Sequence, residues 1–264
     1  MNPIFLEHEP TLEPKIKRLD GVNGVFAVGD IHGMYSLLDP LIDEIKAMLA
    51  EPEYAGWIVV FLGDLIDRGP ENRKCLNRVR EECETNKNWY CLRGNHEEFF
   101  VEFDGFNLGD IWLHPGNGGN KTLAEYDGDT KSYEADRIWL KSLPLAIETD
   151  SYFLTHAGIQ PGVPLADQDA QDLQWIRWEF ITSPHDHPKY VIHGHTPIRD
   201  GRVERRHNRC NMDTGSYYTK VLTVGVFPED RSKEPIFVAA YTPDDGGDTR
   251  IKTYHRHIME YGKA

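Results

Sequence analysis

Five short apolar runs, each followed directly by glycine or polar residues, constrain the fold of this chain more than any other sequence feature. The runs begin at residues 25, 57, 89, 151 and 190, and the polar segments behind them cover 29–33, 63–69, 93–97, 155–158 and 193–196. Short apolar runs bounded by turn residues are typical of buried strands. Because ligands of α/β sheets bind where such strands end, we expect the five polar segments to meet in one place.

The segments between these runs have the apolar periodicity of helices, over residues 36–50, 71–85 and 133–143. The first has one apolar stripe, formed by Leu37, Leu38, Leu41, Ile42, Ile45, Met48 and Leu49. In that helix, Asp39 followed by Pro40 has the pattern of a cap with proline in the first turn. The third has an apolar side made of Ile138, Trp139 and Leu143. Strands alternating with helices predict an α/β fold.

Two further regions complete the predicted organisation. Residues 98–130 are rich in aromatic residues, glycine and asparagine, and we interpret them as a small helical insertion over the site. Three β-like runs, around Asn211 and over 221–227 and 235–241, predict a second sheet near the end of the chain. Because no internal repeat or linker is visible, residues 1–264 are expected to form a single domain.

The charge of the chain limits the partners that it can bind. It has 29 basic and 43 acidic residues, a net charge of −14, which disfavours general binding to nucleic acid. An anionic substrate would need local positive charge, which metal ions and a few arginines can supply. The four cysteines form no C-x-x-C pair, and no 18-residue apolar stretch is present. We therefore expect free thiols, no membrane span and a reducing compartment, the cytoplasm.

The polar segments contain the donors of a metal site. Asp30 and His32 are two positions apart, so in extended chain they point the same way and can bind one cation. Each later segment adds one donor: Asp64, Asn95, His156 and His195. Carboxylate, amide and imidazole donors of this mix suit manganese, iron or zinc. A carboxylate between two half-sites can bridge two ions about 3.5–4 Å apart, an arrangement that serves phosphoryl transfer.

These segments resemble a known family. Gly-Asp-Ile-His-Gly at 29–33, Gly-Asp-Leu-Ile-Asp-Arg-Gly at 63–69 and Gly-Asn-His-Glu at 94–97 match three signatures of the phosphoprotein phosphatase branch of the calcineurin-like metallophosphoesterases. His-Ala-Gly at 156–158 and Gly-His-Thr at 194–196 resemble its last two metal motifs. The resemblance is greatest to the short serine/threonine phosphatases of bacteria and phages. It implies an α/β sandwich of two β-sheets flanked by helices.

The resemblance also implies a role for each residue of the site. The first metal would be bound by Asp30, His32 and Asp64, and the second by Asp64, Asn95, His156 and His195. His96 would be the general acid, with Asp67 orienting it. Arg68 and Arg93 match phosphate-binding arginines, and Arg177 matches a third more loosely. Independently of the family, a carboxylate on the far nitrogen of an imidazole fixes its tautomer and favours its protonated form, which suits an acid.

The implied function is a metal-dependent phosphomonoester hydrolase, foremost a serine/threonine protein phosphatase that acts on phosphorylated proteins or peptides. It would use two divalent ions, manganese before iron or zinc, and a hydroxide bridging them for in-line attack on phosphorus. The alternative is a symmetrical dinucleoside tetraphosphate hydrolase. Those relatives usually have glutamine where this chain has His32, and they depart from its Asp67-Arg68-Gly69 run. An inactive binding module would have lost a ligand or His96, and all are present.

Several other residues have two interpretations at this point. His193 is either a further ligand or a packing residue, and residues 117–120 either cradle phosphate or form a plain turn. Trp112, Trp175 and Trp178 line a substrate groove or belong to the core, and His114, His185, His187 and His207 are expected in loops. Asp213-Thr214-Gly215 has the pattern of a turn that begins a hairpin near the site. The larger eukaryotic relatives have Ser-Ala-Pro-Asn-Tyr there, so their groove contacts are not carried over.

Overall fold

The computed structural model describes residues 15–105, 111–243 and 246–255. One six-stranded sheet contains β2 (Gly24–Val28), β3 (Ile58–Phe61), β4 (Trp89–Cys91), β10 (Val221–Pro228), β11 (Ile236–Tyr241) and β12 (Arg250–His255), in the order β12-β11-β10-β2-β3-β4. The other contains β1 (Ile16–Arg18), β5 (Ala146–Glu148), β6 (Tyr152–Thr155), β7 (Tyr190–His193), β8 (Glu204–Arg205) and β9 (Arg209–Asn211), in the order β1-β5-β6-β7-β9-β8. The five strands predicted from the apolar runs are therefore confirmed as β2, β3, β4, β6 and β7.

Alternation along β2 shows how the layers form. Val25 and Ala27 belong to a buried cluster that includes Ile192 of the other sheet. Phe26 and Val28, which point the opposite way, belong to a cluster formed with the helices. Full burial of a valine or phenylalanine side chain stabilises the fold by about 1.5–3 kcal/mol. The expected α/β sandwich of two sheets flanked by helices is confirmed.

The helices are α1 (Tyr35–Leu49), α2 (Asn72–Thr85), α3 (Asn95–Glu102), α4 (Gly119–Ala124), α5 (Thr130–Ser142), α6 (Ala170–Trp175), α7 (Trp178–Ile181) and α8 (Ser216–Thr219). Three short 3-10 helices cover Pro52–Tyr54, Ile111–Leu113 and Leu165–Asp167. The first two predicted helices agree with α1 and α2 to within one residue at each end. The third, α5, begins three residues early because the side chain of Asp129 accepts a hydrogen bond from the backbone N–H of Ser132, which caps the helix.

Two details of the predicted helices are wrong. Asp39 does not cap α1, which already begins at Tyr35, and Pro40 lies inside the helix. The Asp39 carboxylate instead accepts a hydrogen bond from Nε of Arg78, at 2.9 Å, on the neighbouring α2. In α5, Ile138 is 43% exposed, and Leu140 is the fully buried residue. Helical periodicity finds an apolar stripe, but the packing of neighbouring elements decides which of its edges is covered.

The predicted second sheet near the end of the chain is also wrong in its arrangement. β10 pairs antiparallel with β2, and β11 follows β10, so both extend the sheet that already contains β2, β3 and β4. β9 instead pairs parallel with β7 in the other sheet. The five polar segments consequently come from the ends of two sheets rather than one. In the described part of the chain, no helix is both long enough and apolar enough to cross a membrane.

Candidate metal centre

The loops that follow the strands converge at the site, and several of their residues have strained backbone conformations. Five non-glycine residues of the site have left-handed conformation: His32, Asp64, Asp67, Arg68 and His195, with φ between 47° and 73°. Each such residue costs about 1–3 kcal/mol and persists only where its surroundings enforce it. Here the backbone N–H groups of Ile31 and His32 both donate to the carbonyl oxygen of Asp64, at 3.0 and 2.9 Å. The predicted extended geometry of Asp30 and His32 is therefore wrong, because His32 lies in a turn.

Asp64 lies at the middle of the site and contacts three imidazoles. Its Oδ1 is 3.3 Å from Nε2 of His156, and its Oδ2 is 3.5 Å from Nε2 of His32 and 3.9 Å from Nε2 of His96. Two groups of potential metal ligands share this carboxylate. One is His32, Asp64 and His96, and the other is Asp64, His156 and His195, with the ligand atoms of each group within 4.8 Å of one another. A shared carboxylate is the geometry expected of a bridging ligand.

Asp30 and Asn95 border these two groups. Oδ1 of Asn95 is 2.9 Å from Nε2 of His156 and 2.8 Å from Nδ1 of His195. Oδ2 of Asp30 accepts the backbone N–H of His195 at 3.0 Å, although Asp30 lies outside both groups. Oδ1 of Asp30 and Nε2 of His195 are buried without any hydrogen-bond partner. Since a buried polar atom without a partner is costly, these two atoms fit divalent cations as their partners.

Backbone carbonyls orient the histidines. Nδ1 of His32 contacts the Ile66 carbonyl at 2.9 Å, and Nδ1 of His156 contacts the Leu62 carbonyl at 2.8 Å. Each ring therefore donates through Nδ1 and leaves Nε2 on the side of Asp64, the arrangement usual for metal-binding histidines. Burial lowers the pKa of His32 and of His195 well below the ordinary value, so both are in the neutral form that a metal ligand requires.

His96 is held by a buried carboxylate. Its Nδ1 is 2.6 Å from Oδ2 of Asp67, which also accepts a hydrogen bond from Nε1 of Trp112 at 2.7 Å. Oδ1 of Asp67 accepts a hydrogen bond from the hydroxyl of Thr122 at 2.5 Å. Trp112 and Thr122 belong to residues 98–130, so part of that segment fixes the His96–Asp67 pair. Trp112 is thereby found in the core, as a hydrogen-bond donor, rather than in an open groove.

The backbone beneath Asp64 is fixed by Glu97. This fully buried carboxylate accepts the N–H groups of Asp64, Leu65 and Gly94, at 2.7, 2.8 and 2.9 Å. Carboxylates that accept several backbone N–H groups form strong, charge-assisted hydrogen bonds. Glu97 therefore supports the loop that carries Asp64.

The three arginines have different surroundings. Arg68 reaches into the centre: its guanidinium is 2.7 Å from Nε2 of His32 and lies 5.1 Å from the centre of the Tyr217 ring. Arg93 is paired with a carboxylate, because its Nε is 3.2 Å from Oε2 of Glu98. Arg177 lies near enough to His195 for its charge, after burial and His156, to lower the pKa of that imidazole.

The structure decides between the two interpretations that the sequence left open for several residues. His193 is fully buried between the Gly194 carbonyl, 3.1 Å from its Nδ1, and Arg209, and it lies outside both ligand groups. Gly118 is left-handed and packs on the backbone of Arg68, and it caps α4, so residues 117–120 contain the end of a turn and the start of that helix. His187 packs against Phe180, and among the described residues neither ligand group contains His114, His185, His187 or His207.

Thr122 beside Asp67 and Tyr217 beneath Arg68 were not expected at the site from the sequence. Trp112 was expected in a groove or in the core, and Asp213 in a turn, without the contacts that they make here. Asp213-Thr214-Gly215 does not begin a hairpin, because the helix α8 follows it directly. Asp213 is 2% exposed, and its charge raises the pKa of Asp30, after burial itself. Its position just after β9 was the available signal, since each other donor also follows a strand.

Comparisons with known proteins agree with this geometry. The family model for calcineurin-like phosphoesterases matches residues 25–223. Serine/threonine-protein phosphatase 1 of Salmonella typhimurium is 30% identical over 217 residues, which cover 76% of this chain and 90% of that protein. An asymmetrical bis(5'-nucleosyl)-tetraphosphatase, PrpE of Oceanobacillus iheyensis, is 25% identical over 242 residues, 82% of this chain and 92% of that protein.

Solved structures give the same fold. A protein provisionally named a diadenosine tetraphosphatase aligns with a TM-score of 0.59 at 19% identity, over 86% of this chain and 98% of its own. The cold-active protein-tyrosine phosphatase of a psychrophilic Shewanella aligns with a TM-score of 0.54 at 18% identity, over 85% and 82%. At such identities the likeness concerns the fold alone.

Proposed function

Because this chain belongs to the calcineurin-like phosphoesterase family, we propose that it is a metal-dependent serine/threonine protein phosphatase. Its substrate is a phosphorylated protein or peptide. The proposed metal ligands are Asp30, His32, Asp64, Asn95, His156 and His195. His96 is the proposed general acid, Asp67 is the carboxylate that orients it, and Arg68, Arg93 and Arg177 are the proposed phosphate-binding residues.

The buried pair of His96 and Asp67 is the observation that carries this proposal. With Nδ1 bound to Asp67 at 2.6 Å, the other ring nitrogen of His96 faces Asp64 at the middle of the site, at 3.9 Å. The alkoxide of serine or threonine is a poor leaving group, and it needs a proton as the P–O bond breaks. Nε2 of His96 is the atom that holds this proton, and Asp67 stabilises the protonated ring.

Two divalent cations fit the donors, and we propose manganese, with iron and zinc as alternatives. At this site they supply positive charge to the phosphoryl oxygens and an activated water. The protein's part is to hold its donors rigidly. The carbonyls of Ile66 and Leu62 fix the rings of His32 and His156, and Glu97 fixes the backbone of Asp64.

Arg68 supplies positive charge from the chain itself. Its guanidinium already lies among the proposed ligands, where two phosphate oxygens can accept parallel hydrogen bonds from it. Arg177 adds charge from the His195 side, and Arg93 can exchange Glu98 for phosphate. Such local charge explains how a chain with a net charge of −14 binds an anionic substrate.

The same proposal covers the organisation of the chain. We propose that residues 1–264 form one domain, with 98–130 as an insertion that supports the acid through Trp112 and Thr122. The family match over 25–223 includes strands of both sheets, which supports this. The proposed location is the cytoplasm, on the basis of the four cysteines without a C-x-x-C pair, and no nucleic acid or membrane is proposed as a partner.

A dinucleoside tetraphosphate hydrolase is the second candidate. The similarity to the asymmetrical PrpE protein favours it, whereas the sequence alone pointed to the symmetrical type as the alternative. The chemistry of the two candidates differs at the leaving group. A nucleotide leaves as a phosphate of low pKa and needs no proton, whereas a serine or threonine alkoxide does.

A side-by-side rate comparison tests the proposal. Phosphoserine, phosphothreonine and phosphotyrosine peptides and diadenosine tetraphosphate would be given to the same enzyme with manganese. The proposal predicts the highest kcat/KM on phosphoserine or phosphothreonine. His96→Ala should remove at least 100-fold of that rate, the contribution of a general acid being about 10²–10⁴-fold, while His114→Ala, an exposed histidine, should not. A higher kcat/KM on diadenosine tetraphosphate would make the second candidate the function.

A further inference from the structure

Asp213 is locked in place just after β9. One oxygen of its carboxylate, Oδ1, accepts the backbone N–H of Gly215 at 2.9 Å. Its own N–H donates to Oδ1 of Asn211 at 2.9 Å, and its carbonyl accepts the N–H of Ile198 at 3.0 Å. The side chain is 2% exposed, so neither it nor its backbone can turn away to solvent.

The loop that carries Asp213 lies against the loop that carries Asp30. Gly29 packs on the carbonyl oxygen of Met212 so closely that a β-carbon at residue 29 would overlap it. Three residues after Asp213, the hydroxyl of Ser216 donates to the carbonyl of Ile31 at 2.9 Å. The residues before and after Asp213 therefore both contact the segment that carries Asp30. The two carboxylates lie in the same buried region.

The charges in this region do not balance. The side chains of Asp30, Asp64 and Asp213 are each at most 2% exposed. Among the described residues, neither Asp30 nor Asp213 forms an ion pair with an arginine or lysine, and the guanidinium of Arg68 lies 2.7 Å from Nε2 of His32 instead. Buried carboxylates in excess of their positive partners are costly. Oδ1 of Asp30, buried and without a hydrogen bond, marks where a cation would relieve this cost.

We propose that Asp213 sets the affinity of the Asp30 side of the centre for a divalent cation. It acts through its negative charge, as a positioning and electrostatic residue, and its Oδ1 is held by the backbone N–H of Gly215. The inference rests on the proposed function, since it needs the centre to bind metal. The charge of Asp213 can be tested separately from its hydrogen bond, because the N–H of Gly215 requires only an acceptor oxygen.

Asp213→Asn tests this inference, because the amide keeps an acceptor oxygen for Gly215 and loses the charge. Metal would be removed with a chelator, and manganese alone would be titrated by calorimetry at pH 7.5. We expect the binding constant of the Asp30 half-site, identified with Asp30→Ala, to fall at least tenfold, about 1.4 kcal/mol. The melting temperature of the metal-free variant should exceed that of the metal-free wild type, and its rise on adding manganese should be smaller.

Asp230→Asn is the matched control, because Oδ1 of Asp230 accepts the N–H of Ser232 at 3.0 Å in the same kind of turn but on the surface. It should bind manganese like the wild type. Asp30→Ala in parallel should lose one equivalent of manganese and so identifies the half-site affected. If Asp213→Asn does not fold, Asp213→Ser retains an acceptor oxygen and takes its place.

The possible outcomes separate the role of Asp213 from the proposed function. Unchanged manganese affinity in folded Asp213→Asn would overturn the inference and leave a purely structural turn, while the proposed function stands. A wild type that binds no manganese and hydrolyses no phosphoester would overturn the proposed function itself. A tenfold loss of affinity confined to the manganese ion that Asp30→Ala also loses would support both the inference and the proposed function.

Discussion

Gly194 lies so close to Asp30 that a β-carbon at residue 194 would overlap Oδ1 of the carboxylate. The backbone that carries His195 therefore rests directly on the Asp30 side chain, and the next N–H along, that of His195, donates to Oδ2 at 3.0 Å. A proposed ligand that follows a strand of one sheet is positioned by the backbone at the end of the other. The geometry of the centre thus depends on how the two sheets pack.

Gly194→Ala should accordingly impair metal binding. The added methyl group must displace the Asp30 carboxylate, which is buried and held through Oδ2 by the backbone N–H of His195, or the His195 loop itself. We expect at least a tenfold loss of manganese affinity by calorimetry, with the folded state retained in circular dichroism. Gly116→Ala is the control, since its β-carbon would meet only the exposed side chain of His114, at 3.2 Å. Equal affinity in both variants would contradict the close packing.

Asp67→Asn should affect the leaving group rather than binding. The variant keeps one acceptor oxygen for Trp112 and His96, places its amide group against the Thr122 hydroxyl, and lacks the negative charge that stabilises a proton on His96. We expect kcat on a phosphoserine peptide to fall about 10²-fold or more, and kcat on an aryl phosphate, whose leaving group needs no proton, to fall much less. Thr122→Val, which removes the two hydrogen bonds between Thr122 and Asp67 and leaves the Asp67 carboxylate charged, is the control and should reduce both rates alike. Equal losses on both substrates in Asp67→Asn would exclude an acid role for the pair.

Removing metal should lower the stability of the protein. Asp30 and His195 each bury an atom without a hydrogen bond, and chelation leaves both atoms without a cation. Readdition of manganese at 100 times its dissociation constant should raise the free energy of unfolding by about 2.7 kcal/mol per site. Urea unfolding with and without manganese measures this. Asp30→Ala should show a smaller rise and little change in its metal-free stability, whereas an identical rise would remove Asp30 from the ligands.

Local sequence patterns predicted the buried strands and the donor residues better than they predicted which distant strands pair. Each buried strand and most donors of the centre follow from an apolar run and the polar residues behind it, because both lie within ten residues. The assignment of β9 to one sheet and β10 to the other does not follow, since both runs look alike and only packing separates them. The left-handed turn at His32 was missed for a related reason, because it is imposed by hydrogen bonds to Asp64.

The supports of the site were harder to predict than its donors. Trp112 and Thr122 contact Asp67 from 45 and 55 residues away, in a segment without strong periodicity. Asp213 has no repeated motif around it that would separate a buried carboxylate from a turn residue. Such residues act through a neighbour, and their identity depends on a three-dimensional contact that leaves no fixed spacing in the sequence.

Glu204 and Arg209 form a buried ion pair whose loss should unfold the protein at lower denaturant. Nη1 of Arg209 is 2.7 Å from Oε2 of Glu204, and their side chains are 4% and 14% exposed. Glu204→Gln would leave a buried guanidinium without its anion, which costs about 3 kcal/mol. Glu84→Gln is the control, because Glu84 pairs with Arg80 on the surface and is 55% exposed, where such a pair contributes about 0.5 kcal/mol.

The stabilisation by Glu204 should also depend on pH. Burial alone would raise its pKa, but Arg209 and Arg206 outweigh burial, so the pKa lies below its ordinary value of 4.5. A carboxyl group whose pKa is lowered by folding stabilises the folded state above its unfolded pKa, and this contribution disappears as the pH falls through the folded pKa. Urea unfolding of the wild type and of Glu204→Gln should therefore differ most at pH 7 and converge below pH 4.5. A difference that stays constant over this range would show that packing, and not the charge of Glu204, stabilises Arg209.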